Sequence, residues 1–223
     1  MQDLSNWTPR PAPSLEPMEG RFVRLEPLSA ERHGQDLFDA SSVQDAIDRF
    51  RYLGEHPPKT LDEFRTWLDK AESSRDPLYF AVIDNKTGKV AGRQTFLRTD
   101  AANGVTEIGH IYWGPLISKT PATTEALYLF ARHVFEDLGY RRFEWKCNND
   151  NEPSKRAAVR YGFQFEGIFR KHMIIKGKNR DTAWYAMTDD DWTIAKPAFE
   201  AWLSPSNFDA QGKQVKTLRE FRT

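Results

Sequence analysis

The chain has 223 residues, 39% hydrophobic and 13% aromatic, which suits one ordinary domain with a substantial core. Lys plus Arg number 32 and Asp plus Glu number 32, so zero formal charge argues against nucleic acid as the main partner. The single cysteine, Cys147, excludes an internal disulfide and a multi-cysteine metal site. No run of about 18 apolar residues occurs, so no membrane span is expected. The start lacks a basic segment followed by an apolar block, so no signal peptide is expected and cytoplasmic residence is the default.

Residues 1–19 carry Pro9, Pro11, Pro13 and Pro17 and little periodicity. They read as an extended arm, loose or laid over the domain. Residues 21–26 alternate polar and apolar, as a strand does. Ser29 can cap a helix to about Ala40, and Thr60 with Glu63 has capping-box spacing before a stripe of Leu61, Phe64, Leu68 and Ala71. Three strands follow over 78–83, 89–97 and 105–113, separated by turn residues at 84–88 and by Asn103 and Gly104.

The stretch 107–138 is a strand, a short loop and a helix. Gly114 and Pro115 punctuate the strand. Thr120 is a candidate N-cap and Pro121 stands where a first helical residue would, which suits its fixed φ and missing N–H. Leu127, Phe130, Ala131, Val134 and Leu138 form the apolar stripe. A helix N-terminus delivered by a loop is suited to anions, because its first amides lack intrahelical partners. Further on come a strand at 141–147, a helix opened by Glu152, Pro153 and Ser154 and stopped by Gly162, a hairpin over 163–187, and a helix from Thr188 to about Leu203. The expected division is an arm at 1–19, a domain at 20–203 and a polar tail at 204–223.

The order of elements and four local matches over residues 21–192 resemble the GNAT superfamily of N-acetyltransferases, in particular the branch with the ribosomal-protein N-terminal acetyltransferases. The matches are Glu107, Ile108, Gly109 and His110; then Thr123, Thr124, Glu125, Ala126 and Leu127; then Asn151 to Ser154 with Tyr161, Gly162 and Phe163; then Gly167 and Arg170 with Asp181, Trp184 and Tyr185. The resemblance implies an α+β fold (an α/β sandwich), with a mixed, mostly antiparallel sheet of six or seven strands and helices on both faces. It implies an acetyl-CoA-dependent N-acetyltransferase acting by direct transfer to a primary amine, with acetyl-CoA as cosubstrate and no metal. The acceptor would be a small molecule or a peptide, without nucleic acid or membrane, and a homodimer is a compatible assembly.

The family holds the pyrophosphate on backbone amides of a glycine-containing loop, and here Ser118, Pro121 and Thr123 depart from its pattern. Proline offers no amide. Lys119, Thr120, Ala122, Thr123 and Thr124 remain as cofactor-binding candidates, and Ile111, Tyr112 and Trp113 would pair with the pantetheine by their main chain, as an added strand does. Asn151 and Ser154 match positions beside the pantetheine and sulfur. Glu107 is the preferred general base and His110 the second candidate. Three residues apart on an unbroken strand, they face opposite sides, so only one reaches the acceptor unless a bulge intervenes. Ser154 or Tyr161 is the candidate proton donor to the leaving thiolate. Arg49, Tyr52, Arg170 and Trp184 are candidate acceptor-binding residues. The degenerate loop keeps a second reading open, a catalytically weak or inactive CoA-binding or regulatory protein.

Overall fold

A computed structural model of the chain describes residues 3–222. The strands are β1 (Met18–Glu19), β2 (Val23–Pro27), β3 (Leu78–Asp84), β4 (Val90–Asp100), β5 (Val105–Trp113), β6 (Arg142–Asn148), β7 (Gln164–Ile175) and β8 (Lys178–Thr188). They form one sheet in the order β1-β2-β3-β4-β5-β6-β8-β7. Every pairing is antiparallel except that of β5 with β6. The eight strands exceed the six or seven expected. The extra one is β1, a two-residue strand at the end of the proline-rich arm, paired with Leu25 and Arg24. Two residues carry no readable alternation.

The helices are α1 (Ala30–Ser41), α2 (Ala46–Arg49), α3 (Leu61–Ser73), α4 (Pro121–Arg132), α5 (Glu152–Tyr161) and α6 (Asp189–Leu203). Helices α1 and α3 cover one face, where Leu37, Phe64 and Leu68 bury against Tyr79, Ala81 and Ile83. Helices α4 and α6 cover the other, where Ala126, Leu127, Phe130 and Phe199 join Phe80, Phe96 and Phe143. Phe96 and Phe130 stack with centroids 3.8 Å apart. The parallel pair requires a crossover, and α4 supplies it.

The caps follow the sequence. Ser29 accepts from the Arg32 amide, and Thr60 accepts from the Glu63 amide, the threonine half of the expected box. Gly162 ends α5 with φ 101°, in the left-handed region where glycine carries no Cβ penalty. The stripe to Leu138 does not stay α-helical. After Arg132 the chain widens into a π-helical turn, His133–Asp137.

The arm and tail both lie on the domain. Trp7 Nε1 donates to the Ala102 carbonyl at 2.7 Å, and the Tyr140 hydroxyl donates to the Pro11 carbonyl at 3.0 Å. In the tail, Leu218 is buried, and the Asn207 side-chain amide donates to the Trp202 and Lys216 carbonyls. No helix among the described residues is long and apolar enough to cross a membrane.

Candidate active site

The sheet opens in its middle. Strands β5 and β6 are in register only from Val105 opposite Arg142 to Ile108 opposite Trp145. Beyond that point β5 stays with β4 as far as Trp113, while β6 stays with β8 as far as Asn148 opposite Thr182. A cleft of about 1320 Å³ runs through the opening, lined by both strands and by the start of α4. Past Ile108 the β6-facing edge of β5 is therefore free to pair with an extended molecule.

A β-bulge reshapes β5 at this point. Thr95 pairs with Gly109 and Arg93 with Tyr112, so His110 and Ile111 together oppose Gln94. His110 takes φ 46°. This corrects the expectation that Glu107 and His110 face opposite sides. Glu107 lies on the α1/α3 side, and the His110 ring sits 5.7 Å from Tyr79, which packs with α1 and α3. Both line the cleft. The bulge inserts one residue and so cancels the alternation that would have separated them.

In one half of the cleft the main chain dominates. Thr120 caps α4, its Oγ1 accepting from the Ala122 amide at 3.3 Å, with Pro121 at the first helical position. Lys119 is exposed with φ 60°. Thr123 Oγ1 turns back to the Thr120 carbonyl, and Thr124 Oγ1 accepts from Arg160 Nη1 at 3.0 Å. The Tyr112 hydroxyl donates to the Ala40 carbonyl, and Trp113 Nε1 to Gln94 Oε1. Asn151 caps α5 by accepting from the Ser154 amide. Ser154 Oγ accepts from Trp145 Nε1 at 3.0 Å, which leaves its own proton to give. Tyr161 is buried beside Thr123, Thr124 and Arg160, and burial raises its phenol, which keeps the proton on. Burial likewise pushes the Cys147 thiol up, consistent with an inert buried cysteine.

The other half is made of charged side chains. Glu107 is 3% exposed. Its Oε2 accepts from Arg98 Nη1 at 2.8 Å and Lys146 Nζ at 3.0 Å, while Lys146 also reaches Glu144 Oε2 at 2.6 Å. Oε1 of Glu107 faces Gly109, where a Cβ would stand 3.6 Å away. Burial first, then Arg93, Arg98 and Arg180, press the His110 imidazole down to about 4, so it is neutral at pH 7. Arg180 lines the cleft nearby.

Of the four proposed acceptor residues, Arg49 and Tyr52 line the cleft. Arg49 lies towards the loop, its Nη1 donating to Ser118 Oγ at 3.2 Å and its Nε bound to Asp45. Arg170 is exposed on β7 and does not line the cleft. Trp184 does not line it either. Its ring lies 3.7 Å from Lys146 Nζ and so supports the lysine from behind. The hairpin's inward residues are instead Met173, Ile175 and Arg180. Sequence reading missed Arg98, Lys146, Arg160 and Arg180. Only Lys146 had a signal, since alternation against Phe143, Trp145 and Cys147 sets it with Glu144 on the opposite face.

A family model described as an acetyltransferase (GNAT) domain matches residues 23–164. The chain belongs to the GNAT acetyltransferase family. A crystal structure of a GCN5-related N-acetyltransferase from Brucella melitensis is 62% identical, covering 98% of this chain and 99% of that one at a TM-score of 0.97. Among curated relatives, "Probable N-acetyltransferase YjcK" of Bacillus subtilis (strain 168) is 26% identical over 74% of this chain and 88% of its own length. "Uncharacterized N-acetyltransferase p20" of Bacillus licheniformis is 29% identical over 48% of this chain, an alignment spanning 60% of that protein. This GNAT protein is thus an acyltransferase, of a family whose acyl donor is acetyl-CoA.

Proposed function

We propose that this GNAT protein transfers the acetyl group of acetyl-CoA directly to a primary amine. The observation that carries the reading is the divergence of β5 from β6 after Ile108, with the α4 N-terminus set at the same opening. The free edge at Ile111, Tyr112 and Trp113 offers main-chain partners to the pantetheine amides. The first turn of α4 offers amides and the positive end of its dipole to the pyrophosphate, with Lys119 and Arg160 adding charge in place of the missing glycines. In the transfer, the amine nitrogen bonds to the acetyl carbonyl carbon, the carbon–sulfur bond breaks, the amine loses a proton and the thiolate gains one. In this reading Glu107, through Oε1 or a water on it, takes the first proton. Ser154 or Tyr161 gives the second.

The acceptor is a small-molecule or peptide amine, and the local matches to the ribosomal-protein N-terminal branch favour including peptides among those tested. A second reading, binding of acetyl-CoA with weak turnover or none, has a specific observation in its favour. Thr120 Oγ1 already occupies the Ala122 amide, and Pro121 supplies none. Calorimetry with acetyl-CoA, followed by thiol release across a panel of peptides, aminoacyl compounds and polyamines, tests both. Amine-dependent thiol release with an N-acetyl product is the expected result. Tight binding without amine-dependent release would favour the second reading.

A further inference from the structure

The acceptor half of the cleft carries more positive charge than its own carboxylates engage. Arg93 pairs with Glu55 and lies over the Trp67 ring at 4.2 Å. Arg98 and Lys146 share Glu107, and Lys146 also holds Glu144. Arg180 is different. Among the described residues its side chain makes no hydrogen bond and no ion pair, and its Nε is fully enclosed without a partner. It lines the cleft together with Arg98, Glu107 and His110. Its charged neighbours are Glu107, already held by two cations, and Arg98, another guanidinium. Arg98 spends Nη1 on Glu107 and is still 48% exposed at its side chain.

A guanidinium withdrawn from water without a counter-charge is costly, and an anion delivered with the ligand offsets that cost. Arg98 from β4 and Arg180 from β8 both line the cleft and sense each other's charge, and each guanidinium offers planar donors suited to a carboxylate or a phosphate. His110 lines the same cleft as a neutral ring and offers neither of them a counter-charge.

We propose that the acceptor is an amine that also carries an anionic group, a carboxylate or a phosphate, and that Arg180 and Arg98 bind that group while the amine faces Glu107. This rests on the acetyltransferase reading above and narrows it. It sets amino carboxylates, amino phosphates and peptides or aminoacyl compounds with an anion near the amine ahead of polyamines, whose second cation would meet Arg180. Arg180 and Arg98 are binding residues here, and the bonds made and broken are those of the same acetyl transfer.

The test uses the full chain saturated with CoA, so that the phosphate-binding loop is already filled. Calorimetry then follows binding of 2-aminoethyl phosphate against ethanolamine, and of amino carboxylates of two to six carbons against amino alcohols of equal length. With acetyl-CoA, kcat/KM is measured for the same matched pairs and for spermidine. One anionic series should exceed its neutral counterpart by about 10-fold or more, the scale of a charge-assisted hydrogen bond. The series that wins identifies the carboxylate or the phosphate. Arg180→Gln should collapse that ratio towards unity, and Arg180→Lys should restore part of it. Arg98→Gln serves as the second variant if Arg180→Gln melts early. Ratios near unity in the unaltered protein, a preference for spermidine, or a ratio unmoved by both Arg180→Gln and Arg98→Gln would overturn the proposal. If neither CoA nor acetyl-CoA binds, the acetyltransferase reading falls and this proposal falls with it, whereas normal acetyl-CoA binding and turnover with ratios near unity overturns this proposal alone.

Discussion

The two halves of the cleft are built by opposite means. The acyl half uses main chain: the free edge of β5, the first turn of α4, and a loop whose hydroxyls bond nearby main-chain groups, as those of Thr120, Thr123 and Ser118 do. The acceptor half uses side chains: Glu107, Lys146, Arg98 and Arg180, brought from four different strands. Main-chain recognition tolerates sequence change, which is why a loop lacking the family's glycines still presents an α4 N-terminus to the opening. Side-chain recognition does not, so substitutions there carry the larger effects.

The sharpest break is at Glu107. Glu107→Gln removes the candidate base and should lower kcat by roughly 10²–10⁴-fold, with acetyl-CoA affinity nearly unchanged. It also leaves Lys146, 5% exposed, with Glu144 as its remaining carboxylate, so a melting curve must accompany the kinetics. Unchanged kcat at saturating acceptor would mean that orientation alone, with amine already neutral in solution, sustains the rate.

Glu125 offers the control on the other side of the sheet. It is as buried as Glu107, but it accepts from the amides of Arg21 (2.8 Å), Phe22 and Val23 (2.9 Å). Gly20 is required beside it, since a Cβ there would come within 2.5 Å of Glu125 Oε2. The carboxylate therefore ties α4 to the β1–β2 turn. Glu125→Ala orphans three donors and should cost about 3–5 kcal/mol of stability, read from urea unfolding. A loss below about 1 kcal/mol would show that the turn finds other partners. The comparison is sharpened if Glu107→Gln harms rate and Glu125→Ala harms stability.

The same contrast explains what the sequence made readable. The acyl half lies in two continuous stretches, 111–124 and 151–162, where caps, proline placement and periodicity are local signals, and there Thr120, Pro121, Asn151 and Gly162 sit as their residue types suggest. The acceptor half depends on the register of paired strands, as when Arg98 meets Glu107 across the shifted β4–β5 pairing and Lys146 on β6 meets Trp184 on β8. Neither contact leaves a local pattern. The bulge at His110 was not placed either, because the inserted residue is an ordinary one and the neighbouring Gly109 alone does not say that a residue is inserted. Trp184 and Arg170 were placed on the right hairpin but on the wrong part of it.

A smaller effect is expected in the acyl half. Lys119→Glu should weaken acetyl-CoA by about 10-fold, falling off with added salt, because Lys119 is an exposed charge beside the α4 N-terminus. Pro121→Gly restores an amide and should hold or tighten binding. Unchanged affinity in Lys119→Glu would move the pyrophosphate away from this loop.

The smallest predicted effect is on pH dependence. His110 is held near 4 in the folded protein, below its ordinary 6.5, by burial and three guanidiniums. The unfolded chain therefore binds a proton there between pH 6.5 and 4 that the native protein does not. Stability from this group is full above pH 6.5 and declines as pH falls towards 4. By pH 5.5 the decline should reach roughly 1 kcal/mol from His110 alone. His33, also lowered by burial, adds in the same direction. His110→Gln should remove the His110 share and leave that of His33, so unfolding measured at pH 7.0 and 5.5 should show a shallower slope in the variant. An identical slope would mean that water reaches His110 as the cleft opens. His110 would then titrate near its ordinary value, and the acceptor half would be wetter than its buried ion pairs imply.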